Sequence, residues 1–194
     1  YSQYYLYSLV TLQKFQDAAS FSKELERKKL DNFESNLVSG IYHLESKNFV
    51  QARIYFEKLK NQSQPDSIQN LLASTVNSWS NFNDIQSALS SLKSLPNRFE
   101  NIKIIQEVFA YCYFDSEQTN EAFERLTTNP KINYSRYNFF HINYLISKGE
   151  EKKAKEVLQS SLGIYPTNLI LNQLKTDLKQ KKKKNNQFNC KKIE

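Results

Sequence analysis

The sequence predicts an all-α protein, on three observations. Glycine and proline are scarce, at three and four of 194 residues, so few positions interrupt regular structure. Leucine, lysine, glutamate and glutamine, which are favourable in helices, are plentiful. Apolar residues recur at three- and four-residue steps, as at Leu37, Ile41 and Leu44, and this is the spacing of one face of an α-helix.

A longer period predicts that these helices form a tandem array. Five alanines, each near the start of an amphipathic segment, follow one another at intervals of 34, 36, 34 and 32 residues: Ala18, Ala52, Ala88, Ala122 and Ala154. A second helical pattern precedes each alanine across a short polar stretch, so each unit is predicted to be a helical hairpin. One hairpin cannot bury its own apolar stripe, and neighbouring hairpins are expected to cover it.

Five hairpins are predicted in order along the chain, over residues 1–30, 33–64, 66–97, 99–130 and 133–166. The polar stretches that divide their helices lie at 13–14, 46–48, 81–84, 115–118 and 147–151. Predicted helix N-caps, whose short side chains can accept a bond from a first-turn amide, are Asn48, Asp115 or Ser116, and Thr167. Pro65 and Pro166 are predicted between hairpins, where a missing amide does little harm.

The last part of the chain is predicted to be one more helix and a tail. Residues 167–184 place Leu171, Leu174 and Leu178 on one side, as expected for a helix that caps the last hairpin or begins a further repeat. Residues 185–194 are predicted to be a flexible tail. The lysine run at 181–184 is interpreted as a solvated helix end, with contact to anionic lipid or nucleic acid, or a targeting signal, as the alternatives.

Small and aromatic residues recur at matching places in the hairpins. They are Gly40, Ala52, Phe56 and Pro65 in the second; Trp79, Ala88 and Leu92 in the third; Phe109, Ala110, Tyr113, Ala122 and Leu126 in the fourth; and Gly149, Ala154, Leu158 and Pro166 in the fifth. Val76, His141 and Ile142 depart from this pattern. Over residues 1–166 the chain resembles the tetratricopeptide repeat (TPR) family, and bacterial members with many degenerate repeats in particular.

This resemblance implies a right-handed α-solenoid and a role as a protein-interaction scaffold. In the family, the first helices of successive hairpins line a concave groove that holds a peptide or a helix of a partner. The family's groove positions fall here on Leu37, Ile41, Ala73, Asn77, Glu107, Tyr111, Phe139 and Asn143. Members of the family that bind chaperone C-termini combine asparagines with lysines and an arginine at such positions. Here Asn77 and Asn143 are present, but no lysine or arginine occupies the matching positions, so a chaperone-tail receptor is not expected.

The charge distribution bears on a nucleic-acid alternative. Of the net charge of +7, only +1 falls within residues 1–174, and +6 falls within residues 175–194. Aromatic residues make up 13% of the chain and can stack on bases, so a helical-repeat nucleic-acid-binding module is the alternative interpretation. The nearly neutral body does not provide the basic groove that such a module uses, and nucleic acid is not the expected partner.

No enzyme motif is found, and no catalytic residue, metal ligand or cofactor is predicted. The sequence has no glycine-rich phosphate loop, no paired-cysteine metal spacing, no HExxH and no GxSxG. Cys112 is predicted to be a buried structural thiol and Cys190 is given no role; His43 and His141 are predicted to be inward-facing structural residues. An accessory domain of a larger enzyme remains an alternative function.

Two further expectations concern the context of the chain. It contains no methionine, so we expect it to be a fragment of a longer protein whose natural start and any leader peptide lie outside these residues. The compartment is therefore open between the cytoplasm and export. No run of ~18 apolar residues is present, and no membrane span is predicted in this segment. A protein or peptide partner is expected, and no small-molecule ligand is assigned.

Overall fold

The turns between paired helices recur with a fixed period. The computed structural model describes residues 1–65, 67–180 and 188–192, and in it a residue of positive φ follows the first helix of four hairpins: Gln13, Lys47, Asp115 and Gly149. Gln13 and Lys47 are 34 residues apart, as are Asp115 and Gly149. Lys47 and Asp115 are separated by twice 34 residues, because the third hairpin lies between them. The amide after each one donates to the carbonyl five residues back, as from Asn48 to His43 at 2.8 Å. This closure satisfies helix-end carbonyls and turns the chain back on itself.

Every regular element in the described residues is helical, which confirms the all-α prediction for that part of the chain. The α-helices are α1 (Ser2–Thr11), α2 (Phe15–Arg27), α3 (Phe33–Glu45), α4 (Phe49–Gln62), α5 (Ile68–Trp79), α6 (Ile85–Lys93), α7 (Glu100–Tyr113), α8 (Thr119–Thr128), α9 (Ser135–Ser147), α10 (Glu151–Ile164) and α11 (Leu169–Lys179). Consecutive helices pack as the pairs α1/α2, α3/α4, α5/α6, α7/α8 and α9/α10, and α11 packs on α10.

The chain divides into two compact units, residues 1–95 and 96–194, a division that the sequence analysis does not predict. In the first unit, one buried cluster joins Leu6, Leu9, Ala18 and Leu25. A second joins Ala52, Phe56, Leu59 and Ala73. Both clusters contain one of the periodic alanines, because a small side chain lets two helices approach closely.

The core of the second unit is continuous from α7 to α11. Its buried members include Val108, Cys112, Phe123, Ile142 and Leu171. Half-buried aromatic side chains of α7 and α9 pack against this core. Aromatic rings therefore form part of the edge of this core.

The predicted helix caps are correct in one case and displaced in the others. Asn48 caps α4, with its side chain accepting from the Gln51 amide at 3.3 Å. Asn168, not the predicted Thr167, caps α11 by accepting from the Leu171 amide at 3.0 Å. Helix α8 has Gln118 at its cap position without a side-chain cap bond. The carboxylate of Asp115 pairs instead with Lys148, at 2.6 Å. The alternative prediction, Ser116, accepts from the Gln118 amide at 3.2 Å, immediately before α8.

The C-terminal predictions are tested only in part. Helix α11 ends at Lys179, so the cap predicted over 167–184 is helical as far as residue 179. The lysine run at 181–184 lies outside the described residues, as do residues 185–187, 193 and 194. Within the tail predicted to be flexible, residues 188–192 are described and lie against α7. An aromatic ring and a cysteine, Phe188 and Cys190, pack there against the core of the second unit.

A substitution at Gly40 tests the close helix crossing in the first unit. A Cβ added to Gly40 in α3 would lie 2.7 Å from Cδ1 of Phe56 in α4 and closer still to Cε1. Phe56 is fully buried and cannot move aside. We expect Gly40→Ala to lower the free energy of unfolding by about 2 kcal/mol, because overpacking outweighs the gain in helix propensity.

Urea unfolding followed by circular dichroism measures this change, and Gly163→Ala is the matched control. Gly163 lies in α10, and an added Cβ there meets nothing within 4 Å. The control is expected to leave stability unchanged or to raise it by up to about 1 kcal/mol. Equal stability changes in the two variants would contradict the close approach of α3 and α4.

Candidate functional site

An aromatic surface lies on α7 and α9 of the second unit. The Phe109 ring meets the Phe140 ring edge to face, with centroids 5.7 Å apart, and the Tyr137 ring at 6.2 Å. Tyr137 and Phe140 are three residues apart in α9, so they project from one face of the helix. The guanidinium of Arg136 lies 5.8 Å from the Phe140 ring centroid, at the edge of the cluster. We call Phe109, Tyr137 and Phe140 the aromatic surface.

The C-terminal segment, residues 188–192, lies on the helices that form this surface. The Phe188 ring is 6.3 Å from the Phe140 ring, within the usual range for interacting aromatic pairs. Residues Cys190–Lys192 form a short 3₁₀ turn that contacts α7. The segment thus adds a fourth ring to the cluster.

A disulfide joins this segment to α7. It links Cys112 to Cys190, whose Cα atoms are 5.4 Å apart and which are separated by 78 positions in the sequence. The prediction of a buried free thiol at Cys112 is therefore wrong, although the residue is buried as predicted. Cys190, which the sequence analysis gives no role, is the other half of the bond. A pairing over this distance leaves no local sequence signal.

The groove positions predicted in the second unit lie on α7 and α9, the helices that carry the aromatic surface. Tyr111, next to Cys112, and Phe139, next to Phe140, are half-buried against the core. The Asn143 amide donates to the Phe139 carbonyl at 2.8 Å, so one of its donor hydrogens is already used within α9. Glu107 lines a separate cavity of about 230 Å³ between α7 and α8, where Arg125 is also found. Of these predicted groove residues, Tyr111 and Phe139 lie nearest in sequence to Cys112 and Phe140, which contact the C-terminal segment.

The groove positions predicted in the first unit are less available to a ligand. Ala73 is fully buried in the core, so the prediction that it lines a groove is wrong. The Asn77 amide donates to Glu57 at 2.6 Å and its carbonyl oxygen accepts from the Ser80 hydroxyl at 3.2 Å. Leu37 is half-buried against the core, and Ile41 is 46% exposed on α3. Of these four residues, only Ile41 presents a largely open side chain.

A polar network in the first unit was not predicted. The Tyr55 hydroxyl donates to Glu26 at 2.7 Å, and Lys58 forms an ion pair with the same carboxylate. Burial, followed by the Glu26 contact, raises the pKa of Tyr55 to about 12, and the bonds from Lys58 and Tyr55 lower the pKa of Glu26. His43 stacks on the Tyr55 ring at 5.6 Å. These groups satisfy one another and tie α4 to α2.

His141 is a core residue of the second unit. It is 1% exposed, stacks on Phe123 at 5.3 Å and donates from Nε2 to the Asn120 side-chain oxygen at 3.1 Å. Burial lowers the pKa of His141 to about 4. The other ring nitrogen, Nδ1, is buried and has no hydrogen-bond partner among the described residues. The ring is therefore neutral at physiological pH, as expected of a packed structural histidine.

A larger concavity lies between α10 and α11, away from the aromatic surface in sequence. Its volume is about 530 Å³, and Leu158, Leu162 and Leu178 form its apolar part. Lys155, Lys175, Lys179 and Glu151 are the charged residues around it. The excess of lysine would attract carboxylates rather than cations.

The described residues contain neither a membrane-spanning helix nor a metal-binding cluster. No helix among residues 1–65, 67–180 and 188–192 has both the length and the apolar character needed to cross a bilayer. In the same ranges, no three His, Cys, Asp or Glu side chains are grouped so that they could hold a metal ion. Comparison with profiles of protein families, with curated proteins and with solved structures finds no match to this chain.

Proposed function

We propose that this chain is a protein-interaction scaffold of the tetratricopeptide type, in which helical hairpins stack as a right-handed solenoid. Two observations support this arrangement. The positive-φ residues within hairpins, Gln13, Lys47, Asp115 and Gly149, follow a 34-residue period, and the small residue Gly40 lies where two paired helices cross closely. The proposal gives the chain no catalytic role.

The binding site that we propose is the aromatic surface on α7 and α9. The observation that carries the proposal is the docking of residues 188–192, which brings the Phe188 ring to 6.3 Å from Phe140. An aromatic side chain provides a large contact area at a small entropic cost, and such residues often anchor peptide complexes. The surface therefore has the size and chemistry to hold a short partner segment that contains an aromatic residue.

This assignment moves the binding site away from Asn77, which belongs to the first unit. One amide hydrogen of Asn77 already binds Glu57 and its oxygen already accepts from Ser80, so fewer donor and acceptor positions remain for a partner. The half-buried rings of Tyr111 and Phe139 belong to the same helices as the aromatic surface. We propose that they extend the contact along the partner segment.

A peptide-binding measurement tests the proposal. The probe is a fluorescently labelled peptide of residues 186–192 in which serine replaces the cysteine, and the protein is the full chain with Phe188→Ala and Cys190→Ser, which vacates the surface. We expect saturable binding by fluorescence anisotropy. Adding Phe140→Ala is expected to weaken binding at least tenfold, because loss of the ring removes about 1.4 kcal/mol or more of contact energy.

Two controls make the result specific. Phe15→Ala removes a ring that is 52% exposed in the first unit, and it is expected to leave the affinity unchanged. Phe140→Tyr keeps the ring and is expected to retain binding. A peptide that binds the Phe140→Ala chain as tightly as its parent, with both chains shown to be folded by circular dichroism, would disprove the proposed site.

A further inference from the structure

The disulfide suggests how access to the proposed binding site is controlled, and this inference rests on the proposed function. Cys112 is 3% exposed, and Cys190 and Phe188 are half-buried against the core of the second unit. The bond fixes Cys190 to α7, only two positions after Phe188 in the chain. Phe188 is therefore held close to Phe140 by a covalent link as well as by ring contact.

A partner segment and the C-terminal segment cannot occupy this surface together. Both would place an aromatic ring against Phe140, and the 3₁₀ turn at 190–192 already lies along α7, where Tyr111 is located. While the disulfide is intact, the C-terminal segment cannot diffuse away. A free partner must then displace a segment that is covalently held next to the surface, and this lowers the partner's apparent affinity.

We propose that residues 188–192 are a redox-controlled cover of the aromatic surface. In the oxidised chain the segment occupies the site that a partner's aromatic residue would take. Reduction of the Cys112–Cys190 bond lets the segment leave and opens the site. The partner class is an extended segment with an aromatic residue in the position of Phe188.

The redox step needs a dithiol reductant, which supplies two electrons and two protons. A thiolate of the reductant attacks one sulfur of the disulfide, forms a mixed disulfide and releases the other cysteine as a thiolate, which takes up a proton. The second thiol of the reductant then displaces the remaining cysteine. The products are the free thiols of Cys112 and Cys190 and one disulfide in the reductant.

Reduction is expected to weaken the cover rather than abolish it. The main chain still links the segment to α11 through few residues, so Phe188 continues to compete at an effective concentration on the order of millimolar. Removing the Phe188 ring as well should open the site completely. The affinity for the peptide is therefore expected to be lowest in the oxidised chain, higher in the reduced chain, and highest in the reduced chain with Phe188→Ala.

The experiment uses the full chain and the labelled 186–192 peptide with serine in place of the cysteine. Four proteins are compared: the oxidised chain, the chain reduced with dithiothreitol, Cys190→Ser, and Cys190→Ser with Phe188→Ala. We expect the oxidised chain to bind at least tenfold more weakly than Cys190→Ser. Dithiothreitol should raise the affinity of the parent chain to that of Cys190→Ser and leave the variant unchanged.

Lys191→Ala is the matched control within the segment, because Lys191 is exposed and Lys191→Ala leaves both the ring and the disulfide in place. Its oxidised form is expected to remain closed. Equal peptide affinity of the oxidised chain and the Cys190→Ser, Phe188→Ala chain would overturn the cover and leave the proposed binding site intact. Failure of the peptide to bind any of the four proteins would overturn both.

Discussion

Reduction of the Cys112–Cys190 disulfide is expected to lower the free energy of unfolding of residues 96–194 by about 4 kcal/mol. The bond closes a loop of 78 positions, and a cross-link of this length restricts the unfolded chain far more than the folded one. Reduction is also expected to weaken the packing of Phe188 against the core of the second unit. Both effects act in the same direction.

Amide hydrogen exchange measures this loss of stability separately in the second unit. Protection of α7 and α9 is expected to fall when dithiothreitol is added to the parent chain, and not when it is added to Cys190→Ser. The single tryptophan, Trp79, lies in the first unit, and its fluorescence follows that unit in the same samples. Unchanged protection of α7 on reduction would show that the bond contributes no stability.

Acidification from pH 6.5 to pH 4 is expected to remove about 3 kcal/mol of stability through His141 alone. The unfolded imidazole has its ordinary pKa of 6.5, and burial lowers the pKa in the folded chain to about 4. Between these values the unfolded chain binds a proton that the folded chain does not. The contribution is therefore complete above pH 6.5 and is lost as the pH falls toward 4.

Urea unfolding at pH 7.0 and pH 4.5 measures this effect, with His141→Gln as the comparison. Glutamine does not titrate and can still donate to the Asn120 oxygen, which lies 3.1 Å from Nε2 in the parent chain. Protonation of carboxylates over this interval changes the stability of both proteins equally, so it cancels in the comparison. A parent chain that loses no more stability than His141→Gln over this interval would refute the assignment of the loss to His141.

Local pattern was sufficient to predict the helices and their turns. The five periodic alanines are all buried, at 0% or 1% exposure. They recur because each position where two helices pack closely needs a small side chain. The polar stretches coincide with turns because a reversal exposes backbone groups that only short or polar residues tolerate. Neighbouring residues compete for a single cap: the sequence predicts Thr167, and the adjacent Asn168 caps α11.

Contacts between distant positions could not be predicted in the same way. The pairing of Cys112 with Cys190 depends on where the chain returns after α11, and no periodicity encodes that return. The contact of Glu26 with Tyr55 spans 29 positions, and no local pattern encodes a pairing over that distance. Ala73 was misplaced because its family position describes a groove, whereas its actual neighbours are Phe56 and Leu59 in the core.

If residues 188–192 cover the aromatic surface as proposed, the bond between Cys112 and Cys190 makes binding at this surface depend on the cellular compartment. Cytosolic glutathione and thioredoxin keep thiols reduced, whereas disulfides persist in secreted and periplasmic surroundings. The polypeptide would then present a more accessible surface in the first setting and a covered one in the second. Passage across a membrane would then change its binding partners without any change in its sequence.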